Sequence, residues 1–194
     1  MNKVVDKMLI GVFGAADTQL KKNIARKVRI IGEEIAKSGN ILVTGSCGGY
    51  PGEAVEGANK FRGEIIGFSP AKNLYEHINK YKLPDNKNVT VIYTNTNFVM
   101  RDFLNVSSIE AGIIVNGKIG TLHELCILLE SGKIIGVLEK SEGVADLVKL
   151  INLKLEKKEL GYKIIYDENP RELVKKIEDL IKKKRKKQDE KINR

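Results

Sequence analysis

Two glycine-rich segments carry the residue types best suited to chemistry: TGSCGGYPGEAVEGA (44–58) and NGKIGTLHEL (116–125). Each runs from an aliphatic stretch through glycines into a helical pattern. Gly45, Ser46, Gly48 and Gly49 let backbone N–H groups come close to an anion, and a helix start near Pro51 supplies further free N–H groups. In the second segment Gly120 and Thr121 would present a helix N-terminus to the same anion, with Glu124 one turn further in. Gly14, at the end of the first apolar run, extends this small-residue set. Arg101, near the start of a helical pattern, is suited to pairing with phosphate or orienting Glu124. Each feature also has a purely structural reading. The first loop would serve as a tight strand-to-helix turn, Thr121-x-x-Glu124 is a capping box needing no ligand, and Arg101 beside Asp102 would be a solvated pair.

Other chemistries fail on mechanism. GIIVNGKI (112–119) mimics the spacing of a nucleotide-triphosphate loop, but Ile119 stands where a magnesium-binding hydroxyl is required and the interior reads as strand. His123-Glu124 begins a zinc-protease pattern that position 127, an Ile, does not complete. With only His77 and His123 available, no Ser-His-Asp or Cys-His arrangement is persuasive. No G-x-G-x-x-G fingerprint follows the first apolar run, whose glycines are Gly11 and Gly14. Cys47 and Cys126 form no Cys-x-x-Cys pair, so neither a disulfide framework nor a metal site is expected, and a reducing cytoplasm is the default compartment.

The elements that must position these residues follow from the apolar runs MLIGVFG (8–14), NILVTG (40–45), EIIGFS (64–69), VTVIYT (89–94), AGIIVNG (111–117), KIIGVLE (133–139) and YKIIYD (162–167). They are continuously apolar rather than alternating, as in strands covered on both faces. Between the first two runs Leu20, Ile24, Val28, Ile31 and Ile35 form one helical stripe that ends at Gly39. Further helices are expected at about 50–60, 97–108, 121–131, 143–158 and 170–187. The fold class is therefore α/β: a doubly wound, Rossmann-like and mostly parallel sheet of about seven strands with helices on both faces. Ligands of such folds bind beyond the carboxyl ends of the strands, where both glycine-rich segments fall. Residues 72–88 break the rhythm and read as a polar excursion with a short helix, suited to a lid.

The chain's 194 residues, 42% hydrophobic and 30% charged, suffice for one core. No apolar run approaches the roughly 18 residues of a membrane span. Lys3 and Lys7 before the apolar stretch 8–16 imitate a secretory leader, but Gly11, Gly14 and the following amphipathic helix read instead as a buried first strand. The formal charge of +9 suggests a nucleic-acid partner until it is located. Residues 171–194 hold eleven Lys/Arg against five Asp/Glu, leaving 23 basic and 20 acidic residues before them. The division expected is a single nucleotide-binding domain over 1–181 and a basic tail over 182–194. After Leu173, Ile177, Leu180 and Ile181 no apolar residue occurs until Ile192, a pattern that predicts a helix leaving the body.

Taken in order, TGSCGG…EGA, EIIGFSPA, Met100-Arg101 and GIIVNG leading into GTLHEL resemble the LONELY GUY (LOG) family and its relatives. Those relatives include proteins labelled lysine decarboxylases, the molybdenum-cofactor carriers and, more distantly, the core of DNA-processing protein A. The similarity covers roughly residues 8–140 and looks closest to the carrier branch. For the LOG enzymes it implies phosphoribohydrolase activity on nucleoside 5′-monophosphates, releasing base and ribose 5-phosphate. Gly117, Gly120, Thr121 and Glu124 fall on the family's Pro-Gly-Gly-x-Gly-Thr-x-x-Glu motif, and Arg101 falls on its helix Arg. Asn116 stands in place of Pro and Lys118 in place of Gly, where a lysine would act as a point-charge phosphate partner.

Two readings of one crevice remain. In the first, Gly120, Thr121 and the 45–49 loop hold phosphate, Arg101 orients substrate, and Glu124 stabilises an oxocarbenium ion or activates water. In the second, the same residues hold a nucleotide or pterin-type ligand without reaction. Neither requires a further cofactor, and the resemblance implies a homo-oligomer. A third reading has the basic tail contact nucleic acid.

Overall fold

The computed structural model describes residues 7–17, 19–86, 88–155 and 158–192. Lys3, Lys87 of the polar excursion, positions 156–157 of the expected 143–158 helix and the last two residues, which entered the expectations above, lie outside these. All seven apolar runs form strands: β1 (Leu9–Gly14), β2 (Ile41–Thr44), β3 (Glu64–Ser69), β4 (Thr90–Tyr93), β5 (Ala111–Val115), β6 (Ile134–Leu138) and β7 (Lys163–Asp167). Helices α1 (Lys22–Lys37), α2 (Gly49–Lys60), α3 (Leu74–Asn79), α4 (Phe98–Ser107), α5 (Ile119–Glu130), α6 (Val144–Leu155) and α7 (Pro170–Ile192) connect or follow them. Every pairing is parallel and the order is β4-β3-β2-β1-β5-β6-β7. The sheet is thus wholly parallel rather than mostly so.

Alternation along β1 divides the core between the two faces. Ile10 and Val12 meet Ile24, Val28 and Ile31 of α1, together with Leu173 and Ile177 of α7. Phe13 points the other way and joins Val106 of α4, Leu125 and Leu128 of α5, and Val148 of α6. Helices α1 and α2 touch backbone to backbone. A Cβ on Gly32 would lie 1.9 Å from the Ala54 carbonyl oxygen, and one on Gly57 would lie 1.9 Å from that of Arg29.

Helix α7 differs from expectation. Its apolar anchoring ends at Ile181, yet it continues helically to Ile192. The reason is a charged anchor: Arg185 donates from Nε and Nη2 to both oxygens of Glu110 at 2.7 Å, and from Nη2 to the Lys7 carbonyl at 3.2 Å. A forked guanidinium–carboxylate pair replaces the missing apolar stripe.

Candidate functional site

The chain builds the sheet outward from β1 to β4 and then returns to place β5 on the other side of β1. Loops leaving β1 and β5 therefore diverge, and the gap between them is the ligand position of this fold class. A crevice of about 390 Å³ lies there. It brings together Gly14, Gly45, Arg101, Lys118, Gly120, Thr121 and Glu124 from four separate segments. The remaining expected residues stand behind it. Gly49 has φ +69° and packs against the Ala15 carbonyl, Gly117 has φ +105° and abuts Thr121, Gly48 is the N-cap of α2, and Ser46 packs against Gly67.

Two helices aim open N-termini into this region. Neither Gly48 before α2 nor Lys118 before α5 makes a side-chain cap, whereas α3 and α4 are capped by Asn73 and Asn97. The leading N–H groups of α2 and α5 thus carry the positive end of the helix dipole without a capping side chain. The capping box, the structural alternative for Thr121-x-x-Glu124, is not formed, because α5 starts at Ile119, two residues before Thr121. That offset makes Thr121 an interior residue of the first turn and frees Glu124 to face the crevice.

Arg101 is 7% exposed, not a solvated residue. Its Nε lies 3.3 Å from Asp102 Oδ1 but is not aligned for a hydrogen bond, and both Nε and Nη1 are buried without a hydrogen-bond partner. Its guanidinium carbon sits 5.5 Å from the Phe98 ring centroid, a cation–π distance. Gly45 makes room for it, since a Cβ there would fall 1.6 Å from Arg101 Nη1. A buried guanidinium with idle donors costs free energy unless an anion completes it. Asn105, one turn along α4, adds a buried amide whose nitrogen and oxygen are also unpartnered.

The carboxylates balance this cation unevenly. Asp102 accepts from or pairs with His123 Nδ1 at 3.0 Å on its far side. Glu124 is 8% exposed, and its carboxyl is pushed up to about 8 by burial and then by the neighbouring Asp102 charge, against the opposing pull of Arg101. At neutral pH this favours the protonated carboxyl, which is able to donate a hydrogen bond rather than accept a proton. Burial likewise pushes the Cys47 thiol up to about 11, so it lines the crevice as a neutral group and not as a thiolate metal ligand. Among the described residues no cluster of His, Cys, Asp or Glu is arranged to hold a metal ion.

Sequence reasoning passed over Asp17, Leu83 and Phe98, which line the crevice. Asp17 holds Lys118 Nζ at 2.9 Å across the mouth. Leu83 belongs to the polar excursion, which His77 pins in place: its Nδ1 is 2.8 Å from Ser69 Oγ and its Nε2 is 3.0 Å from the Pro84 carbonyl. Leu83 and Phe98 carried no signal beyond being apolar in polar surroundings.

The Asn116 departure has a geometric cause. Asn116 has φ +51°, its N–H donates to Ser141 Oγ at 2.9 Å, and its side chain donates to the Ser141 carbonyl at 2.9 Å. Proline satisfies none of these conditions. A larger depression of about 550 Å³ lies beyond β6 and β7, but three of its carboxylates, Glu139, Glu168 and Asp167, are paired with Lys149, Lys140 and Lys176. It lacks the idle buried donors that distinguish the crevice.

The model of the SLOG cluster4 family matches residues 7–174. The chain belongs to the SLOG cluster4 family. This agrees with the LOG-like resemblance carried by Gly117, Gly120, Thr121 and Glu124. An uncharacterized protein of Archaeoglobus fulgidus is 30% identical to this SLOG cluster4 chain over 126 residues, 65% of this chain and 76% of that protein. The structural-genomics protein TM1055 superposes with a TM-score of 0.77 at 20% identity, covering 89% of this chain and 99% of its own. A molybdenum cofactor binding protein from Rippkaea orientalis superposes with a TM-score of 0.70 at 25% identity, covering 91% of this chain and 99% of its own. No helix among the described residues of this SLOG cluster4 protein is long and apolar enough to cross a membrane.

Proposed function

We propose that the switch-point crevice binds a small phosphorylated molecule of the nucleotide or pterin class and holds it intact. One observation carries this reading: Arg101 is buried at the crevice with Nε and Nη1 unpartnered. A phosphate oxygen is the natural partner for two idle guanidinium donors. The open N-termini of α2 and α5 complete the anion's surroundings, and Lys118 adds a point charge at the mouth. Val12, Pro51, Leu83 and Phe98 offer apolar walls for a flat ring system. Protonated Glu124 is suited to donate to a ring carbonyl or a phosphate oxygen. The molybdenum cofactor binding protein from Rippkaea orientalis, similar over nearly its whole length, supports the pterin side of this class.

Native mass spectrometry of the purified protein tests this directly. A retained phosphorylated ligand, absent from the Arg101→Ala protein, is the expected outcome. An empty wild-type chain with no affinity for any monophosphate or pterin phosphate overturns it.

A second reading, hydrolysis of the N-glycosidic bond of a nucleoside 5′-monophosphate, is favoured by the position of Glu124 beside Arg101. A protonated carboxyl there would deliver its proton to the departing base as the C1′–N bond breaks and water bonds to the ribose carbon, and the carboxylate left behind would take the proton that the water gives up. Base release from a panel of monophosphates, lost in the Glu124→Gln protein, would select it. We also propose a homo-oligomer: Val99, Met100 and Phe103 of α4 and Ile119 of α5 are exposed apolar side chains. Light scattering at micromolar concentration checks this, and a strict monomer rejects it.

A further inference from the structure

The amino ends of β6 and β7, opposite the crevice, border a second concavity. Gly132 and Gly161 mark these strand entries, and between them and α7 runs a groove of about 510 Å³. Among the described residues its walls carry Lys163, Lys183, Lys184, Lys186 and Lys187 against one acid, Glu190. All five lysines are exposed, and among the described residues Lys184 alone of the five hydrogen-bonds through its ammonium, from Nζ to the Gly132 carbonyl at 3.2 Å. The floor is apolar, formed by Ile134 and Leu180.

Three points turn this from a loose charged tail into a built surface. Lys163 stands on the strand side and the other four on the helix side, so the cations face each other across a cleft. Arg185, forked onto Glu110 at 2.7 Å, holds this stretch of α7 against the body. Lys133 borders the adjoining hollow with Lys184, and its ammonium is pulled down by burial and then by the Lys184 charge, against the opposing pull of Glu110, so the Lys184 cation extends the groove's positive field into that hollow. Unpaired cations held together at this density are stabilised by a polyanion that displaces their counterions.

We infer that this groove binds the sugar–phosphate backbone of single-stranded nucleic acid, without reading its sequence, independently of the crevice. A strand's linear row of phosphates suits cations on two walls, and the apolar floor suits the sugar edges. Lysines act as point charges, and among the described residues no arginine fork or side-chain amide lines the groove to read a base edge. A membrane surface is a poorer match, because the lysines border a concavity and not a plane with apolar tips.

The test uses the full chain and a fluorescent oligothymidylate of about twenty nucleotides, followed by anisotropy between about 50 and 200 mM salt. Binding that weakens at least tenfold in Lys183→Glu/Lys187→Glu, with a shallower salt slope, is the expected result. Lys22→Glu/Arg26→Glu, equal in charge change but on exposed α1 positions outside the groove, should leave affinity within twofold. Guanosine monophosphate at saturating concentration should leave it unchanged as well. Equal loss in both variants overturns the proposal, since only net charge would then matter. Binding to phosphatidylserine vesicles but not to the oligonucleotide overturns it too, as does displacement by tripolyphosphate at matched phosphate concentration. Circular dichroism of both variants verifies folding.

Discussion

Glu124→Gln removes a carboxyl that burial and Asp102 push up to about 8 from an ordinary 4.5. Between those two values the folded chain keeps a proton that the unfolded chain has released. Stability therefore falls as pH rises, by up to about 1.4 kcal/mol per pH unit. The contribution is complete below 4.5, where both states are protonated, and fully lost above about 8, where both are ionised. Across the window the loss approaches about 5 kcal/mol as an upper bound, a large share of a typical domain's stability. Glutamine keeps the shape and a donor but cannot ionise, so the Glu124→Gln protein escapes this loss. Urea unfolding of both proteins from pH 5 to 9 isolates the effect, because all other titrating groups are common to the pair. The stability difference should grow steadily with pH in favour of the variant and level off above pH 8. A difference curve flat to within about 0.5 kcal/mol refutes the reasoning. It would mean that Glu124 is already ionised at neutral pH and restore its candidacy as a base that activates water.

Arg101→Ala should weaken binding of a nucleoside monophosphate by about ten- to a hundredfold by calorimetry, the worth of a charge-assisted contact. Asn116→Pro, which restores the LOG motif letter, should destabilise by about 3 kcal/mol or more, measured by thermal unfolding. The ring cannot adopt φ +51° and removes the N–H that donates to Ser141 Oγ. Lys118→Gly should change stability by less than about 1 kcal/mol, since it breaks only an exposed pair with Asp17, while phosphate affinity falls measurably. His77→Ala should speed hydrogen exchange across 74–86 by cutting the tie from Ser69 to Pro84, leaving exchange in β1 and β5 unaffected.

The sheet was legible because burial on both faces leaves an unbroken aliphatic signature, as in AGIIV of β5, where every residue is buried. The position of the site followed from the fold class, and Gly14, Gly45, Arg101, Lys118, Gly120, Thr121 and Glu124 do converge on one crevice. What a string of letters does not carry is where a helix begins to within two residues. That shift, at Ile119, separates the capping box from the observed arrangement. Nor does spacing reveal that Arg101 is buried, because its burial depends on Gly45 lying opposite in a different loop. The charged anchor at Arg185 was equally silent, since its partner Glu110 is 75 positions away.

The contact between α1 and α2 fixes one wall of the crevice. With no side chain at Gly32 or Gly57 to slide or repack, the two helices are locked as one unit. The 45–49 loop, which leads into α2, inherits that fixity. On the proposed binding reading, ligands that differ in their ring systems would be met by the side chains of Leu83 and Phe98 on the opposite wall, while the backbone around Gly45 keeps its place.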